Sequence, residues 1–306
     1  MALRIVKASD PITVNRLNLC IYAPPGVGKT SLLNTAEAPI TLDFDHGIHR
    51  AKNRRDSVPV DSWSDVEEIT PEFLAPYKTV GVDTAGRALD FLGRDITAKD
   101  SKCGSGGDLN LKGYGKLKSR FSTWMKLLNS FGKDVVLICH MDEQKDGDRM
   151  LERLDAQGSS KNEIYKTADA MGRIFVRDEM VNGKKVVKRY IDFSPREGSF
   201  GKNPAQLQDI EFPDPSVAPN TLANVIQLIK DKLNAMSDEQ LEAQRIIEEW
   251  ATAINDLKVV DEFNKLIPDV KKAPDAVKMY LHGKAKDLGF VFNKKAGLYE
   301  AEPLHA

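Results

Sequence analysis

Short apolar runs separated by longer polar or helix-like segments dominate the first two thirds of the chain. The runs cover residues 17–22, 40–45, 79–83 and 134–139, and residues 116–130 carry large apolar side chains at helical spacing. Strands of a parallel sheet have continuous apolar runs of this kind because crossover helices bury both faces of the sheet. The pattern therefore predicts an α/β fold in which helices cover a mostly parallel sheet on both faces.

A different pattern follows in the middle of the chain. Residues 172–177 and 186–193 are predicted strands on either side of an Asn-Gly pair at 182–183, which is a strong signal for a β-hairpin. Two polar stretches, 99–115 and 142–160, are predicted to be loops, and the first of them is expected to be long and mobile. The parallel sheet is thus expected to end in an antiparallel hairpin.

The division into domains is predicted from a proline-rich segment. Residues 211–219 contain three prolines, which is typical of a linker. We predict a core at 1–213, a linker with a connecting helix at 214–236 and a small helical domain at 237–306. The elements predicted in that last domain are helices at 237–257, 260–266 and 275–288 and a hairpin at 290–299.

Composition and charge exclude several classes of protein. The chain is 41% hydrophobic and 29% charged, which is ordinary for a soluble protein. Its net charge of −1 gives no overall attraction to nucleic acid, so a nucleic-acid site would have to be a local patch. The three cysteines are far apart and two lie in apolar runs, which indicates reduced thiols and a cytoplasmic protein. No apolar run approaches the length of a membrane span, and no membrane partner is expected.

The segment from Ala23 to Ser31 is the most informative part of the chain for function. It joins the first predicted strand to a helix-like run, and its Gly-rich loop followed by Lys-Thr is the layout of a site for nucleotide phosphates. Glycines let the backbone turn its N–H groups inward, the lysine reaches the β- and γ-phosphates, and the threonine hydroxyl can bind Mg²⁺. The first motif position is alanine where glycine is usual, and alanine is small enough for the same turn. The predicted phosphate-binding residues are Pro25, Gly26, Val27, Gly28, Lys29, Thr30 and Ser31.

Acidic and histidine side chains follow the other predicted strands. Asp83, Asp45 and His140 each stand at the end of an apolar run, and ligands of open α/β sheets bind at the carboxyl ends of the strands. Asp83 is expected to hold Mg²⁺, and the alternative is a helix N-cap. One of Asp43 and Asp45 is a candidate general base, and the alternative is an ordinary loop carboxylate. His140 is placed either to sense the γ-phosphate or to serve a structural role.

The order of these motifs resembles that of a known family. The phosphate loop is followed by L-D-F-D-H-G-I at 42–48, T-V-G-V-D-T-A-G at 79–86, V-V-L-I-C-H at 135–140 and S-F-G-K-N-P at 199–204. Over residues 15–215 this order resembles the RecA-like ATPases, and more narrowly the phage-encoded proteins related to Sak-type single-strand annealing ATPases. The resemblance implies a RecA-like P-loop NTPase core, ATP and Mg²⁺ as cofactors, and the cytoplasm of a bacterial host as the location.

The resemblance also implies roles for single residues. Lys29 and Thr30 would bind ATP and Mg²⁺, and Asp83 would be the Walker B acid. Asp45 stands where RecA-like ATPases have a catalytic glutamate, and its shorter side chain implies slow hydrolysis. Lys202 lies in the region that reaches the γ-phosphate of a neighbouring subunit, which implies a shared site in a ring or filament of identical subunits. The alternative for Lys202 is a solvated turn lysine.

Contacts with single-stranded DNA are implied in two segments. RecA-like proteins bind it after the third and fourth strands, which here means about 86–115 and 142–170. Candidate contacts in and after the first segment are three lysines for phosphates and a tyrosine for base stacking, namely Lys112, Tyr114, Lys116 and Lys118. A solvated helix start is the alternative. The second segment favours DNA less, because residues 142–169 contain five Lys or Arg and eight Asp or Glu.

Functions from different classes remain open at this stage. The first is ATP-dependent binding or annealing of single-stranded DNA in phage recombination or replication, beside a single-strand binding protein or another recombination protein. The second is a P-loop ATPase switch or loader that acts on a protein partner without touching DNA, which the acidic second segment favours. A small-molecule kinase would need a lid with phosphate-clamping arginines, for which 149–153 is a loose candidate. An inactive nucleotide-binding scaffold is the last alternative.

Overall fold

The described part of the molecule forms two compact units. The computed structural model describes residues 13–301, with gaps at 107, 147–148, 157–159, 197–198 and 274. One unit comprises Val14–Leu233, and the other contains Thr13 and the described residues from Asn234 onwards. The division falls inside the segment 214–236, which the sequence assigns to a linker and connecting helix.

The larger unit is built around a mixed sheet. Its strands are β1 (Asn18–Ala23), β2 (Pro39–Asp43), β3 (Ser57–Pro59), β4 (Thr79–Asp83), β5 (Gly104–Ser105), β6 (Asp108–Leu109), β7 (Asp134–Asp146), β8 (Arg149–Leu154), β9 (Ala170–Val181), β10 (Lys184–Asp192) and β11 (Ile210–Glu211). Its helices are α1 (Lys29–Leu33), α2 (Ser64–Glu67), α3 (Ala85–Lys99), α4 (Leu111–Ser130), α5 (Ser160–Thr167) and the first part of α6 (Thr221–Asn255). Short 3₁₀ turns lie at Ile48–Arg50 and Ser101–Cys103.

The strand order brings the predicted functional ends together. In the described residues nine strands pair, in the order β11-β10-β9-β1-β7-β4-β2-β3 with β8 attached to β7. All neighbours from β9 to β3 are parallel, whereas β10 and β11 run antiparallel at one side. Strand β7 lies between β1 and β4, so its end is next to both the phosphate loop and Asp83. The predicted fold class is confirmed as far as its architecture: the unit is an α/β core with a mostly parallel sheet.

Helices cover both faces of this sheet. Side chains alternate along β1, so that Cys20 and Tyr22 join the core beneath α3, α4 and α5, whereas Leu19 and Ile21 join the core beneath α1 and α6. Every residue of β2 and β4 is buried, as expected for strands between two helical layers. Burial of apolar surface stabilises the folded state by roughly 25 cal/mol per Å². This burial on both faces of the sheet is therefore the main source of the free energy that fixes the strand ends.

The segment expected to be the first DNA-binding loop is mostly regular structure. Helix α3, a 3₁₀ turn and the β5–β6 hairpin fill it, and α4 already starts at Leu111. Asn110 caps α4, because its Oδ1 accepts the N–H of Gly113 at 3.0 Å. A Cβ at Gly113 would lie 2.2 Å from the carbonyl oxygen of Cys103, so this glycine serves close packing. The prediction of a long mobile loop at 99–115 is wrong, because its glycine and asparagine build a capped helix start.

The segment expected to be the second loop is also structured. Strand β7 continues from His140 to Asp146 and pairs antiparallel with β8, and α5 follows before β9. The prediction of a loop at 142–160 is wrong, because an antiparallel ladder is held by backbone hydrogen bonds and requires no apolar run. Residues 147–148 and 157–159 of that prediction lie outside the described residues.

The hairpin predicted at the end of the sheet is confirmed. Strands β9 and β10 pair antiparallel, and the turn residues Asn182 and Gly183 have φ angles of 50° and 75°. Two-residue hairpin turns whose twist matches that of the flanking strands require a positive φ at both central positions. Both strands are longer than predicted, and most side chains between Val176 and Val187 are exposed.

The smaller unit packs helices against a terminal hairpin. It contains the later part of α6, α7 (Val260–Val270), α8 (Asp275–Asp287), β12 (Phe290–Asn293) and β13 (Leu298–Ala301). Phe263, Leu281 and Tyr299 belong to its own buried core. The predicted hairpin is present. The predicted helix start at Ser237 is wrong, because α6 continues from Thr221 to Asn255 without a break. Neither glycine nor proline occurs in this segment to interrupt the helix. Among the described residues, no helix has the length and apolar character needed to cross a membrane.

Candidate functional site

A cavity lies beside the phosphate loop, at the carboxyl ends of the parallel strands. It has a volume of about 530 Å³, and its lining includes the loop, Asp45, Asp83 and His140. The register of the sheet explains why these residues meet, since Ala23 lies opposite His140 and Asp43 lies opposite Asp83. The structure therefore brings together the loop and the polar strand ends selected from the sequence.

The phosphate loop has the backbone conformation that its motif requires. Gly26 and Gly28 have φ angles of 82° and 98°, which residues with a Cβ rarely adopt, whereas Ala23 ends β1 without a positive φ and needs no glycine. The buried ammonium of Lys29 donates to the carbonyl oxygens of Ala23 at 3.0 Å and Pro24 at 2.9 Å. Burial lowers the pKa of Lys29. An anion bound at the loop would therefore compensate a buried positive charge.

A hydroxyl and a carboxylate form a place suited to Mg²⁺. Thr30 Oγ1 donates to Asp83 Oδ2 at 2.5 Å, and Asp83 is only 4% exposed. Burial raises the pKa of Asp83 to about 6, against the opposing effect of the hydrogen bond from Thr30. A cation would stabilise the ionised carboxylate, and Mg²⁺ is commonly held by one or two protein oxygens together with phosphate oxygens and water. The described residues contain no group of three or more His, Cys, Asp or Glu that could hold a metal ion.

Asp45 and His140 form a hydrogen-bonded pair at the cavity. His140 Nε2 lies 3.2 Å from Asp45 Oδ2, and Arg87 Nε lies 3.3 Å from Asp45 Oδ1. The hydrogen bond with His140 is the largest of the effects that lower the pKa of Asp45. His140 Nδ1 is buried, with no hydrogen-bond partner in the described part of the chain. Contacts with His140 and Arg87 therefore hold the Asp45 carboxylate in place, and its lowered pKa makes it a weak base.

Asp43 has a different task. Its carboxylate accepts the backbone N–H groups of Gly47 at 3.0 Å and Ile48 at 3.1 Å, and the residue is 2% exposed. These bonds close the turn that follows β2 and carries Asp45. Asp45, and not Asp43, is the one of the two candidate bases that lines the cavity.

Lys202 does not line this cavity. Its backbone pairs with Met171, and its ammonium donates to the carbonyl oxygen of Ala168 at 2.7 Å and lies 4.5 Å from the centroid of the Tyr165 ring. Burial lowers the pKa of Lys202. A role at the γ-phosphate of a neighbouring subunit would require the side chain to leave these contacts, and that role stays a prediction.

The candidate DNA contacts lie together near the start of α4. Lys112 and Lys116 lie 3.3 and 2.8 Å from Asp100 Oδ2, and Lys118 pairs with a carboxylate of α5 at 3.4 Å. These lysines are exposed, so each ion pair contributes little to stability. Tyr114 is half-buried and packs against the sheet core, which leaves little ring surface for stacking on a base.

Several cations at the cavity escape sequence reasoning. Arg50 and Lys52 follow the turn after β2, and Arg189 comes from β10. Nothing in the pattern of polar and apolar residues along β10 distinguishes Arg189 from its neighbours. Only the order of the strands brings it beside the phosphate loop. A signal for Arg87 does exist, because it stands four residues after Asp83, in the first turn of the helix that follows the strand.

We expect Asp83→Asn to stabilise the nucleotide-free protein at neutral pH. Because the pKa of Asp83 is raised from 3.8 to about 6, its ionisation costs the folded state free energy. The stability conferred by the protonated form is complete below about pH 4 and is lost as the pH rises through about 6. In urea unfolding, the free energy of unfolding of the variant should exceed that of wild type by about 2 to 3 kcal/mol at about pH 7.5. The two values should be equal at about pH 4.

The same substitution on the neighbouring strand provides a matched control. Asp43→Asn replaces one of the two carboxylate oxygens by an NH2 group, so one of the backbone N–H groups of Gly47 and Ile48 loses its acceptor and the protein should be destabilised at neutral pH. Equal stability of Asp83→Asn and wild type at neutral pH would contradict the raised pKa of Asp83.

Comparisons with known proteins give one family match and several similar solved structures. A family model described as an AAA domain matches residues 15–205. No curated protein gives a significant match. Among solved structures, the chain is similar to the KaiC-like protein PH0186 from the hyperthermophilic archaeon Pyrococcus horikoshii OT3, with 12% identity over 67% of this chain and 87% of that chain and a TM-score of 0.35. It is also similar to the flagellar accessory protein FlaH from Methanocaldococcus jannaschii, with 11% identity over 57% of this chain and 76% of that chain and a TM-score of 0.32.

The family match covers more than half of the chain, and it includes the phosphate loop, Asp83 and His140. The loop conformation and the Thr30–Asp83 pair are those expected for a P-loop nucleotide site. The chain therefore belongs to the AAA domain family and has the fold of a P-loop ATPase.

Proposed function

We propose that the protein binds ATP with Mg²⁺ in this cavity and hydrolyses it. The observation that carries the proposal is the Thr30–Asp83 pair next to the buried ammonium of Lys29, because a hydroxyl, a carboxylate and a cation at one loop meet the needs of a triphosphate with its metal. The cavity volume of about 530 Å³ lies in the range of small-molecule sites.

The loop and the metal-binding pair have separate tasks in this proposal. Backbone N–H groups of the loop donate hydrogen bonds to the phosphate oxygens, and the Lys29 ammonium turns from its two carbonyl partners towards the phosphates. Thr30 and Asp83 would hold Mg²⁺, which would supply positive charge to neutralise the phosphates. The raised pKa of Asp83 is consistent with a carboxylate that is ionised best when a cation is beside it.

Asp45 is the group that we assign to the attacking water. Its carboxylate accepts a proton from that water, while His140 and Arg87 hold it by hydrogen bonds to its two oxygens. Because these contacts lower the pKa of Asp45, it is a weak base, which supports slow turnover. His140 connects Asp45 to the end of β7 and is therefore a positioning residue.

Single-stranded DNA is the partner that we propose for the ATPase, in phage recombination or replication beside a single-strand binding protein and other copies of the chain. The support is the charge of α4, which contains no acidic residue and carries the basic residues Lys112, Lys116, Lys118, Arg120 and Lys126. Cations along one helix can follow the backbone of a single strand. With Tyr114 packed against the core, the lysines would carry this interaction without base stacking.

A switch or loader that acts on a protein partner is the second candidate. It is favoured by the pairing of all three candidate lysines, since Lys112 and Lys116 contact Asp100 and Lys118 contacts Glu163. Such pairs lower the net positive charge that DNA would meet.

A titration with single-stranded oligonucleotides at several salt concentrations separates the two candidates. The triple variant Lys112→Ala, Lys116→Ala, Lys118→Ala should bind more weakly, and the slope of log K against log salt should become shallower by about 2, because about 0.7 is lost for each phosphate contact. The control is the double variant Lys294→Ala, Lys295→Ala in the smaller unit, which should bind as wild type. An unchanged slope in the triple variant would remove α4 as the DNA site, and wild-type protein that binds ATP but no DNA would support the switch or loader.

A further inference from the structure

Arg189 is a charge at the cavity that the proposed function leaves unexplained. It lies on β10 opposite Val176, and its side chain lines the cavity beside the phosphate loop. Nη1 lies 3.4 Å from the carbonyl oxygen of Val27, and Cζ lies 4.6 Å from the centroid of the Phe212 ring. Within the described residues no carboxylate forms an ion pair with this guanidinium. Its positive charge thus faces the cavity beside a carbonyl oxygen and an aromatic ring.

Two other arginines of the same hairpin show how guanidinium groups are paired in this protein. Arg173 donates to both carboxylate oxygens of Glu152, at 2.6 and 2.7 Å, and Arg177 donates to Asp209 at 3.0 Å. A partly buried guanidinium has five N–H donors, and leaving its charge unpaired costs free energy. The contrast indicates that the partner of Arg189 is an anion that enters the cavity.

The position of the guanidinium relative to the loop identifies that anion. A Cβ on Gly28 would lie 2.7 Å from Arg189 Nη1, so the guanidinium is in contact with the loop at the residue that precedes Lys29. Gly28 has a φ of 98° and helps to turn the N–H groups of the loop towards the phosphates. A phosphate held by those N–H groups would lie next to both cations.

We infer that Arg189 binds the phosphate chain of the nucleotide in cis, as a second cation beside Lys29. This inference rests on the proposed function and specifies how one chain neutralises the triphosphate. Arginine donates two parallel hydrogen bonds to a phosphate group, and the contacts with Phe212 and Val27 hold its planar group beside the loop. Both cations then come from one chain, so a neighbouring subunit is not needed to supply the second one.

The first test measures the affinity for a fluorescent ATP analogue in the presence of Mg²⁺. Arg189→Gln should bind about 10- to 100-fold more weakly than wild type, the range expected for loss of a charge-assisted hydrogen bond. Arg189→Lys keeps the charge without the planar fork and should show an intermediate loss. Arg177→Gln is the matched control, because Arg177 lies on the opposite face of the same hairpin and pairs with Asp209; it should bind as wild type.

The second test separates action in cis from action in trans. Lys29→Ala and Arg189→Gln are mixed in equal amounts, and ATP hydrolysis is compared with the sum of the two separate proteins. A cis cation predicts no gain on mixing, since neither chain has a complete site. A gain on mixing would overturn the inference, because it would mean that one chain supplies Arg189 to the site of another.

The outcomes distinguish this inference from the proposed function. If wild-type protein binds the ATP analogue and Arg189→Gln binds it equally well, the inference alone is overturned. Wild-type protein that binds no nucleotide overturns the proposed function and the inference together. Thermal unfolding without nucleotide shows whether Arg189→Gln is folded, and Arg189→Lys supplies the same comparison if it is not.

Discussion

Replacement of Lys29 by alanine is expected to lower the affinity for ATP by about 100-fold or more, because the variant loses a cation that makes charge-assisted hydrogen bonds to phosphate oxygens. The ammonium of Lys29 is buried at the loop, and its partners there are two backbone carbonyl oxygens. Its replacement removes the charge that the loop offers to a triphosphate. Fluorescence titration with an ATP analogue measures the loss.

The variant should fold, so that lost binding can be attributed to the site. Burial lowers the pKa of Lys29, which means that the ammonium costs free energy in the nucleotide-free protein, and alanine removes that cost. Lys99→Ala is the control, since Lys99 is an exposed lysine of α3 paired with Asp95 at 3.0 Å. ATP affinity of Lys29→Ala close to that of wild type would remove the phosphate-loop assignment.

Asp45→Asn is expected to lower kcat for ATP hydrolysis by about 100-fold or more, the contribution typical of a general base. Affinity for ATP should stay within about threefold of wild type, because the group acts on the attacking water and not on bound nucleotide. The amide keeps the size of the side chain but cannot take up a proton from water. Steady-state phosphate release gives kcat, and the binding titration gives the affinity.

Asp61→Asn is the matched control for this substitution, because Asp61 is an exposed carboxylate whose contact is His46 at 3.6 Å. It should hydrolyse ATP as wild type does. If Asp45→Asn keeps kcat within about threefold of wild type, the assignment of Asp45 to the attacking water is wrong.

Local chemistry explains which parts of the site are predictable from the sequence. The conformations of Gly26 and Gly28 and the buried ammonium of Lys29 follow from a short motif whose residues act on their neighbours along the chain. Asp83 and His140 are predictable for a related reason, because an apolar run that ends in a polar residue places that residue at one end of a sheet.

Residues that reach the site from distant strands are not predictable in this way. Arg189 belongs to β10, which comes beside the phosphate loop only through the order β10-β9-β1. The β7–β8 hairpin is missed for another reason: the part of β7 that pairs with β8, Met141–Asp146, lies beyond the pairing with β1 and β4, and its sequence carries charged residues and no apolar run. The start of α4 is missed because Gly113, which lowers helix propensity, is required by close packing against Cys103.

The most direct test of the central claim is the rate of phosphate release from ATP by the wild-type protein. We predict slow release with Mg²⁺ that stops when EDTA removes the metal and is absent in Lys29→Ala, since the Thr30–Asp83 pair and Lys29 form one site. Release that continues in EDTA, or that Lys29→Ala retains, would contradict ATP hydrolysis in this cavity.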